Sequence, residues 1–449
     1  MHKKTVAQPA MPAAVSAAET TPATAETATN AEAAETLAET ARRATGAETT
    51  ATGMQGRKPA SQQANQQKNS RKNRRHTGLS KILYSLFMLA GGGAVGAISV
   101  MAWPHMELGS GLWTLGLLLL LALLAVYLQA LLHEGGHLLF GLLSGYRFCS
   151  FRIGSLIWLR QGGKIRLRRY SLAGTGGQCL LAPPDLPPEE APFRLYHLGG
   201  ALMNLITAAL FAGLALSLPD GPFSFFACLL AGFGLLFGLA NGIPLHTALI
   251  DNDGQNVLSL RRMPQARRAL WLQLKVNEEN TAGLRLRDMP SEWFRMPTQA
   301  ELQNSMCAAI GVFACNRLMD ELRFAEAEAT MKTLLAESGG LVGIYRNLLT
   351  NDLLFCELIG ANRPQRRQEY RSREQKKFER AMRRFPSILR TQYAFALLAE
   401  HDTAKAADLE TAFNKMARQY PYSGDIASER ELMAYAANLA EAGINNTAQ

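Results

Sequence analysis

The stretch GLWTLGLLLLLALLAVYLQALLHEGGHLLFGLL, residues 111–143, decides the architecture. Between Gly111 and Leu132 it holds no charged residue, and about 20 such residues are what a helix needs to cross the hydrocarbon core of a bilayer. Three ionisable groups, His133, Glu134 and His137, then fall within five positions. Ionisable side chains flush with an apolar helix are costly there and point to function.

Outward from this stretch the 449 residues divide unevenly, although the whole is an unremarkable 48% apolar and 19% charged. Residues 1–77 hold few large apolar side chains, residues 82–247 are dominated by apolar runs, and the rest is mixed and helix-rich. That middle block excludes an ordinary soluble protein, a fibrous protein, a disulfide scaffold and a wholly disordered chain. Three more apolar segments flank the first: Ile82 to Trp103, softened by Gly91, Gly92, Gly93 and Gly96, then Leu195 to Leu218 and Phe223 to Ile243. Small residues let helices approach closely in a membrane.

The formal charge of +10 is localised. From Arg57 to Lys81 eight bases occur without an acid, beside the first apolar segment. Bases in that position stay in the cytoplasm and touch anionic lipid, so a nucleic-acid partner is not expected. The connection from Arg147 to Arg194 carries Arg152, Arg160, Lys164, Arg166, Arg168 and Arg169, whereas Pro104–Ser110 and Pro219–Pro222 have no Lys or Arg. The bias places the amino-terminal tail, this connection and everything after Asp253 on the cytoplasmic side of a multi-pass protein of the cell membrane. Four crossings with both termini inside satisfy it. No signal-peptide pattern opens the sequence, and the Ala/Thr/Glu-rich residues 1–80 read as a disordered cytoplasmic tail. The 6 cysteines lie apart with no C-x-x-C pair and read as free thiols.

Residues Arg152 to Leu172 alternate apolar and polar around Gly162-Gly163, the pattern of a short hairpin. Leu172 to Pro184 reads as a Gly-rich loop with a proline stop. Beyond Pro264 apolar residues recur at helical spacing in Leu270–Val276, Leu302–Leu318, Ala325–Leu335, Tyr345–Leu358, Ile388–Leu398 and Ala406–Met416. The expected fold is therefore membrane α-helical, with about four transmembrane helices, a small cytoplasmic β-hairpin insertion and an all-α cytoplasmic domain. The helix pairs resemble a helical-repeat array, though their irregular period suits a plain bundle equally well. The domain boundaries expected are 1–80 for the tail, 81–256 for the membrane core and 257–449 for the helical domain, whose surface offers room for a protein partner.

On a helix, His133 and His137 share one face, so both imidazoles can hold one zinc while Glu134 reaches a water at the metal as general base. The bland alternative is a polar helix end entering the interface. A catalytic zinc takes three protein ligands, and the third is sought where the last apolar segment emerges on the same side: Asn241-Gly-Ile-Pro244-Leu-His246-Thr-Ala-Leu-Ile-Asp251-Asn-Asp253-Gly254. By itself that segment reads as a helix end with polar turns.

Together the two motifs resemble the site-2 protease family of intramembrane zinc metalloproteases, over roughly residues 111–256. The resemblance implies His133 and His137 as zinc ligands, Glu134 as the base, and Asn241 and Pro244 as shapers of the ligand-bearing helix end. It also matches Gly199 to Asn204 to the family's Gly/Asn-containing span. The proline-to-aspartate spacing is longer than the family's usual one. Two acids therefore compete, with Asp253 favoured over Asp251 because Gly254 follows it. Asp251 is then expected beside a ligand histidine or the loop, and His246 in a supporting role. What the resemblance implies is hydrolysis of peptide bonds in a membrane-spanning protein or peptide near the cytoplasmic face. The hairpin itself offers an edge to which an unwound substrate strand can add, and it reads equally well as an ordinary basic loop. Two rivals are a catalytically inactive relative acting as a membrane scaffold through its helical domain and a zinc-binding transporter or sensor. The intact His133, Glu134 and His137 weigh against the first, and the lack of acid or His residues deeper in the bilayer against the second.

The topology yields a first prediction. Single cysteines engineered near Gly109 and Asp220 should react with an impermeant thiol reagent from outside, and those at Lys164 and Gln255 only after the membrane is opened. External labelling at Lys164 would overturn the four-span arrangement.

Overall fold

The computed structural model describes residues 86, 89–97, 111–170, 176–245 and 251–447. The tail expected over 1–80 lies outside them, as does most of the first apolar segment, which is helical over 89–97. Among the described residues three helices are long and apolar enough to span a membrane: α1 (Leu112–Leu143), α2 (Arg194–Ser217) and α3 (Pro222–Gly242). At 1.5 Å per residue His133 lies about 32 Å from the start of α1, close to the full thickness of a hydrocarbon core.

Small residues set how these helices meet. A Cβ on Gly136 would collide with the carbonyl of Gly199 and lie 2.6 Å from the Met203 Cβ, and one on Gly199 would lie 2.6 Å from the Gly136 carbonyl oxygen. α1 and α2 thus touch backbone to backbone one residue before His137. α3 approaches in the same way, with Gly234 against the Asn204 carbonyl and Gly238 against Leu205. Ala125, Phe225, Leu229 and Leu230 close the apolar contact further along, with Val95 packed against it. Of the glycines in the first segment, Gly91 makes a close approach, to Leu236, while Gly92, Gly93 and Gly96 have open space.

The connection between α1 and α2 is larger than a hairpin. It forms a four-stranded antiparallel sheet of β1 (Arg147–Ile153), β2 (Leu156–Gln161), β3 (Lys164–Arg169) and β4 (Gly177–Ala182), in the order β3-β2-β1-β4. The expected hairpin is the β2–β3 pair, with Trp158 opposite Leu167 and Gln161 opposite Lys164. Gly162 and Gly163 both take positive φ, at 55° and 75°, as a two-residue turn matched to strand twist requires. The Gly-rich loop reading fails over Gly177–Ala182, which pairs with β1. Its glycines masked a strand whose partner lies some 30 positions earlier. Residues 171–175 lie outside the described residues.

After α3 the chain continues through α4 (Asp253–Arg262) and α5 (Pro264–Ala282). The domain boundary read at 256/257 falls inside α4. Tyr146, Cys179, Leu181, Phe193 and Tyr196 share one apolar core with Leu260, Leu270, Leu274 and Ile310, so the sheet and the helices after the membrane core pack as one body. Then follow α6 (Ser305–Asp320), α7 (Phe324–Glu337), α8 (Gly343–Ile359), α9 (Pro364–Tyr370), α10 (Arg373–Ala381), α11 (Pro386–Phe395), α12 (Thr403–Ala417) and α13 (Ser423–Thr447). The apolar spacing anticipated α5, α6, α7, α8, α11 and α12. α9 and α10 are short and charge-rich, with few apolar residues, and the expected spacing did not extend to α13. All 6 cysteines are free, and all but Cys228 are buried.

The glycine contacts discriminate neighbouring positions. Gly136→Ala should lower the midpoint of thermal unfolding in detergent, by an amount equivalent to about 1–3 kcal/mol of overpacking. Gly135→Ala, whose added Cβ meets nothing within 4 Å, should leave stability unchanged or slightly higher. Equal effects would refute the close α1–α2 approach.

Candidate metal centre

His133 and His137 sit one turn apart on α1, their rings edge to face with centroids 4.8 Å apart. Their Nε2 atoms are 3.2 Å from each other. The opposite nitrogens are committed elsewhere. His133 Nδ1 faces Asn204 Oδ1 at 2.7 Å, and His137 Nδ1 faces the Tyr196 carbonyl at 2.8 Å. Both partners are acceptors, so each Nδ1 donates and each Nε2 presents a lone pair to the space between them.

The orientation of Asn204 is itself imposed. Its Nδ2 donates to the Gln129 carbonyl at 2.9 Å and to Gln129 Oε1 at 2.8 Å. Gln129 Nε2 in turn donates to the Leu230 carbonyl at 2.8 Å. Asn204 and Gln129 are both fully buried. This relay ties α1, α2 and α3 together and leaves Asn204 Oδ1 as the only face it can turn toward His133. Gly200 supplies the room: a Cβ there would lie 2.5 Å from His133 Cε1 and 2.6 Å from His137 Nε2.

The third group arrives from the far side of α3. That helix stops at Gly242, and Asn241 uses its side chain on its own helix, donating to the Phe237 carbonyl at 3.1 Å. Pro244 lies exposed in the extended connection that follows. The residue that shapes this corner is Asn252. Its Nδ2 donates to the carbonyls of Ala240 and Ile243 at 2.8 and 2.6 Å, and its Oδ1 accepts from the amides of Leu245 and Gln255, each at 3.0 Å. It therefore caps the start of α4 while gripping the end of α3, and Asp253 follows as the first residue of α4. Gly254 permits close passage of α4 beneath α3, because a Cβ there would strike the Gly242 carbonyl.

Asp253 Oδ2 lies 3.2 Å from His133 Nε2 and 3.4 Å from His137 Nε2. Asp251, the competing acid, points elsewhere: its Oδ2 accepts from Ser305 Oγ at 2.6 Å. The two-residue offset across the start of α4 separates the two carboxylates, and Asp251 anchors the first residue of α6. His246 lies outside the described residues.

Three lone-pair atoms thus converge, and this is the group of His, Cys, Asp or Glu donors among the described residues with the spacing to hold a metal ion. A tetrahedral zinc with bonds of about 2.0–2.1 Å separates its ligand atoms by about 3.3–3.4 Å. The observed separations of 3.2, 3.2 and 3.4 Å fit that edge. The donor set of two imidazoles and one carboxylate leaves a fourth position open, and the Nδ1 contacts supply the orienting partners such ligands need. Glu134, between the two histidines, faces the sheet. A Cβ on Gly177 would overlap its carboxylate, so the first residue of β4 rests directly on it.

Gln129, Gly200, Tyr196 and Asn252 were not read from the sequence as site residues. A lone amide, Gln129, in an otherwise apolar run and the Asn before Asp-Gly were the available signals. Comparison with known proteins finds no matching family model, no matching curated protein and no matching solved structure.

Asn204→Ala removes the acceptor that orients His133 and should weaken metal affinity about 10–100-fold, measured by competition with a chromophoric chelator. Unchanged affinity would remove Asn204 from the centre.

Proposed function

We propose that this chain is an intramembrane zinc endopeptidase that cleaves a membrane-spanning protein or peptide near the cytoplasmic face. The reading rests on one observation above all: His133 and His137 of one apolar helix meet Asp253, more than a hundred residues later, at ligand spacing, with Glu134 beside them. In this reading the protein is multi-pass with cytoplasmic termini, as its Lys/Arg distribution favours.

When bound, zinc supplies Lewis acidity and makes water nucleophilic near neutral pH. The chain's own residues do the rest. Asn204 and the Tyr196 carbonyl keep both imidazoles in the tautomer that leaves Nε2 bare. Glu134 accepts the proton of the attacking water and passes it to the leaving amine as the peptide bond breaks. A helical substrate hides its amides, so it must unwind before attack. The strand suited to receive it is β4, not the β2–β3 hairpin. β4 is an edge strand pairing only with β1 among the described residues, and its first residue touches Glu134. The other edge, β3, is engaged at its end, where the Arg169 amide donates to the Gln419 carbonyl at 3.1 Å.

The test uses purified full-length protein and a synthetic apolar helical peptide of about 20 residues with a central Asn-Pro. Glu134→Gln should keep zinc and lose cleavage at least about a hundredfold. Asp253→Ala should lose both, whereas Asp251→Ala should keep one zinc per chain. Cleavage by zinc-loaded Glu134→Gln protein, or zinc retention by Asp253→Ala, would sink the assignment.

A further inference from the structure

The sheet beside Glu134 is held from outside the membrane core, and one side chain concentrates that hold. Arg152, near the end of β1, is 1% exposed. Its Nη1 donates to the Gly154 carbonyl at 2.7 Å and its Nη2 to the Gly177 carbonyl at 3.0 Å. The second bond fixes the residue whose missing Cβ makes room for the Glu134 carboxylate. The Gly154 amide also donates to the Gly176 carbonyl at 2.7 Å, so the open end of the β1–β4 pair is pinned around this guanidinium.

The wall behind Arg152 is aromatic. Tyr170 lies with its ring centroid 5.9 Å from the guanidinium carbon. Tyr170, Tyr420 and Tyr422 form a three-sided cluster with centroid separations of 5.7 to 5.8 Å, all edge to face. Tyr420 and Tyr422 belong to the link between α12 and α13, about 240 residues along the chain from the end of the sheet. That link is bonded to the sheet and to α5 as well: Gln161 Nε2 donates to the Pro421 carbonyl at 3.0 Å, and Tyr422 OH donates to Asn277 Oδ1 at 3.2 Å. A buried guanidinium is expensive to place and rigid once its fork is bonded. It is an unusual choice for a sheet end with no other task.

We propose that Arg152 is a positioning residue that fixes the first residue of β4 against Glu134, and that the tyrosines of the α12–α13 link hold Arg152 in place. The carboxy-terminal helices thereby set the strand edge offered to the substrate. The proposal rests on the endopeptidase reading for its consequence, and on the contacts alone for its geometry. Arg152 is electrostatically coupled to Glu134, so its loss should reach the strand edge and the base while zinc content is kept.

The experiment compares full-length wild type with Arg152→Met, Arg152→Lys and Tyr170→Leu in detergent. It reads hydrogen exchange of the Gly177–Ala182 amides, zinc content, and KM and kcat on the same apolar peptide. Arg152→Met should speed exchange in β4 at least about tenfold. It should raise KM about tenfold, the signature of lost binding, with any fall in kcat smaller than the rise in KM, and keep one zinc per chain. Arg152→Lys, which retains charge but not the two-pronged bond, should fall between. Should Arg152→Met fail to fold, Tyr170→Leu, with the guanidinium kept, should still loosen β4 and raise KM. Unchanged β4 exchange in the variants that fold, or a loss confined to kcat, would overturn the proposal. A wild type that binds no zinc and cuts nothing would refute the endopeptidase reading instead, and the exchange data would still decide the role of Arg152.

Discussion

Asn204 can do two things only because Gln129 leaves it no choice. Its amide nitrogen is claimed by Gln129 Oε1 and the Gln129 carbonyl, and the remaining oxygen accepts from His133. Between apolar helices no water competes for these groups, so each unsatisfied donor or acceptor would cost several kcal/mol. The polar centre therefore exists only if the whole relay closes, from the Leu230 carbonyl through Gln129 and Asn204 to the imidazole. Closing it demands that α1, α2 and α3 approach to backbone contact, which Gly136, Gly199, Gly200 and Gly234 permit. Packing and chemistry are one constraint here.

The carboxylate reaches that centre by a different device. An apolar helix cannot fold an acid back toward its neighbour without freeing backbone groups at its end. Asn252 meets this by binding two carbonyls at the end of α3 and two amides ahead of and within α4. The same residue ends one element and starts the next, and Gly254 lets the two pass at backbone distance. Asp253 is thereby held at the first turn of a helix, where a carboxylate is also favoured by the helix dipole. Asp251, two residues earlier, is turned to Ser305 and ties the core to α6.

The part of the chain outside the apolar helices is not an appendage. Its apolar core is continuous with the sheet through Tyr146, Leu181, Tyr196, Leu260 and Leu274. Tyr196 illustrates the economy: its carbonyl accepts from His137, its hydroxyl donates to the Cys179 carbonyl of β4, and its ring stacks on Tyr146 at 4.9 Å. One residue thus connects His137, the strand beside Glu134 and the shared core.

By itself the sequence determined three of the four expected apolar helices, the Gly162-Gly163 hairpin, most of the later helices and the His133–Glu134–His137 face, because each follows from local periodicity or turn chemistry that a few neighbouring residues dictate. That Asp253 would stand beside the two histidines was also readable from the glycine that follows it, and in the structure Gly254 admits the close approach to Gly242. What only the tertiary structure decided is what depends on partners distant in the chain. That includes β4, whose glycines read as loop until β1 paired with them; Gln129 and Asn252, whose amides matter through carbonyls on other helices; and Arg152, whose fork meets the Gly154 and Gly177 carbonyls beside Tyr170. Amide and guanidinium groups carry no periodic signature, and their roles come from which acceptors the folded chain brings within 3 Å.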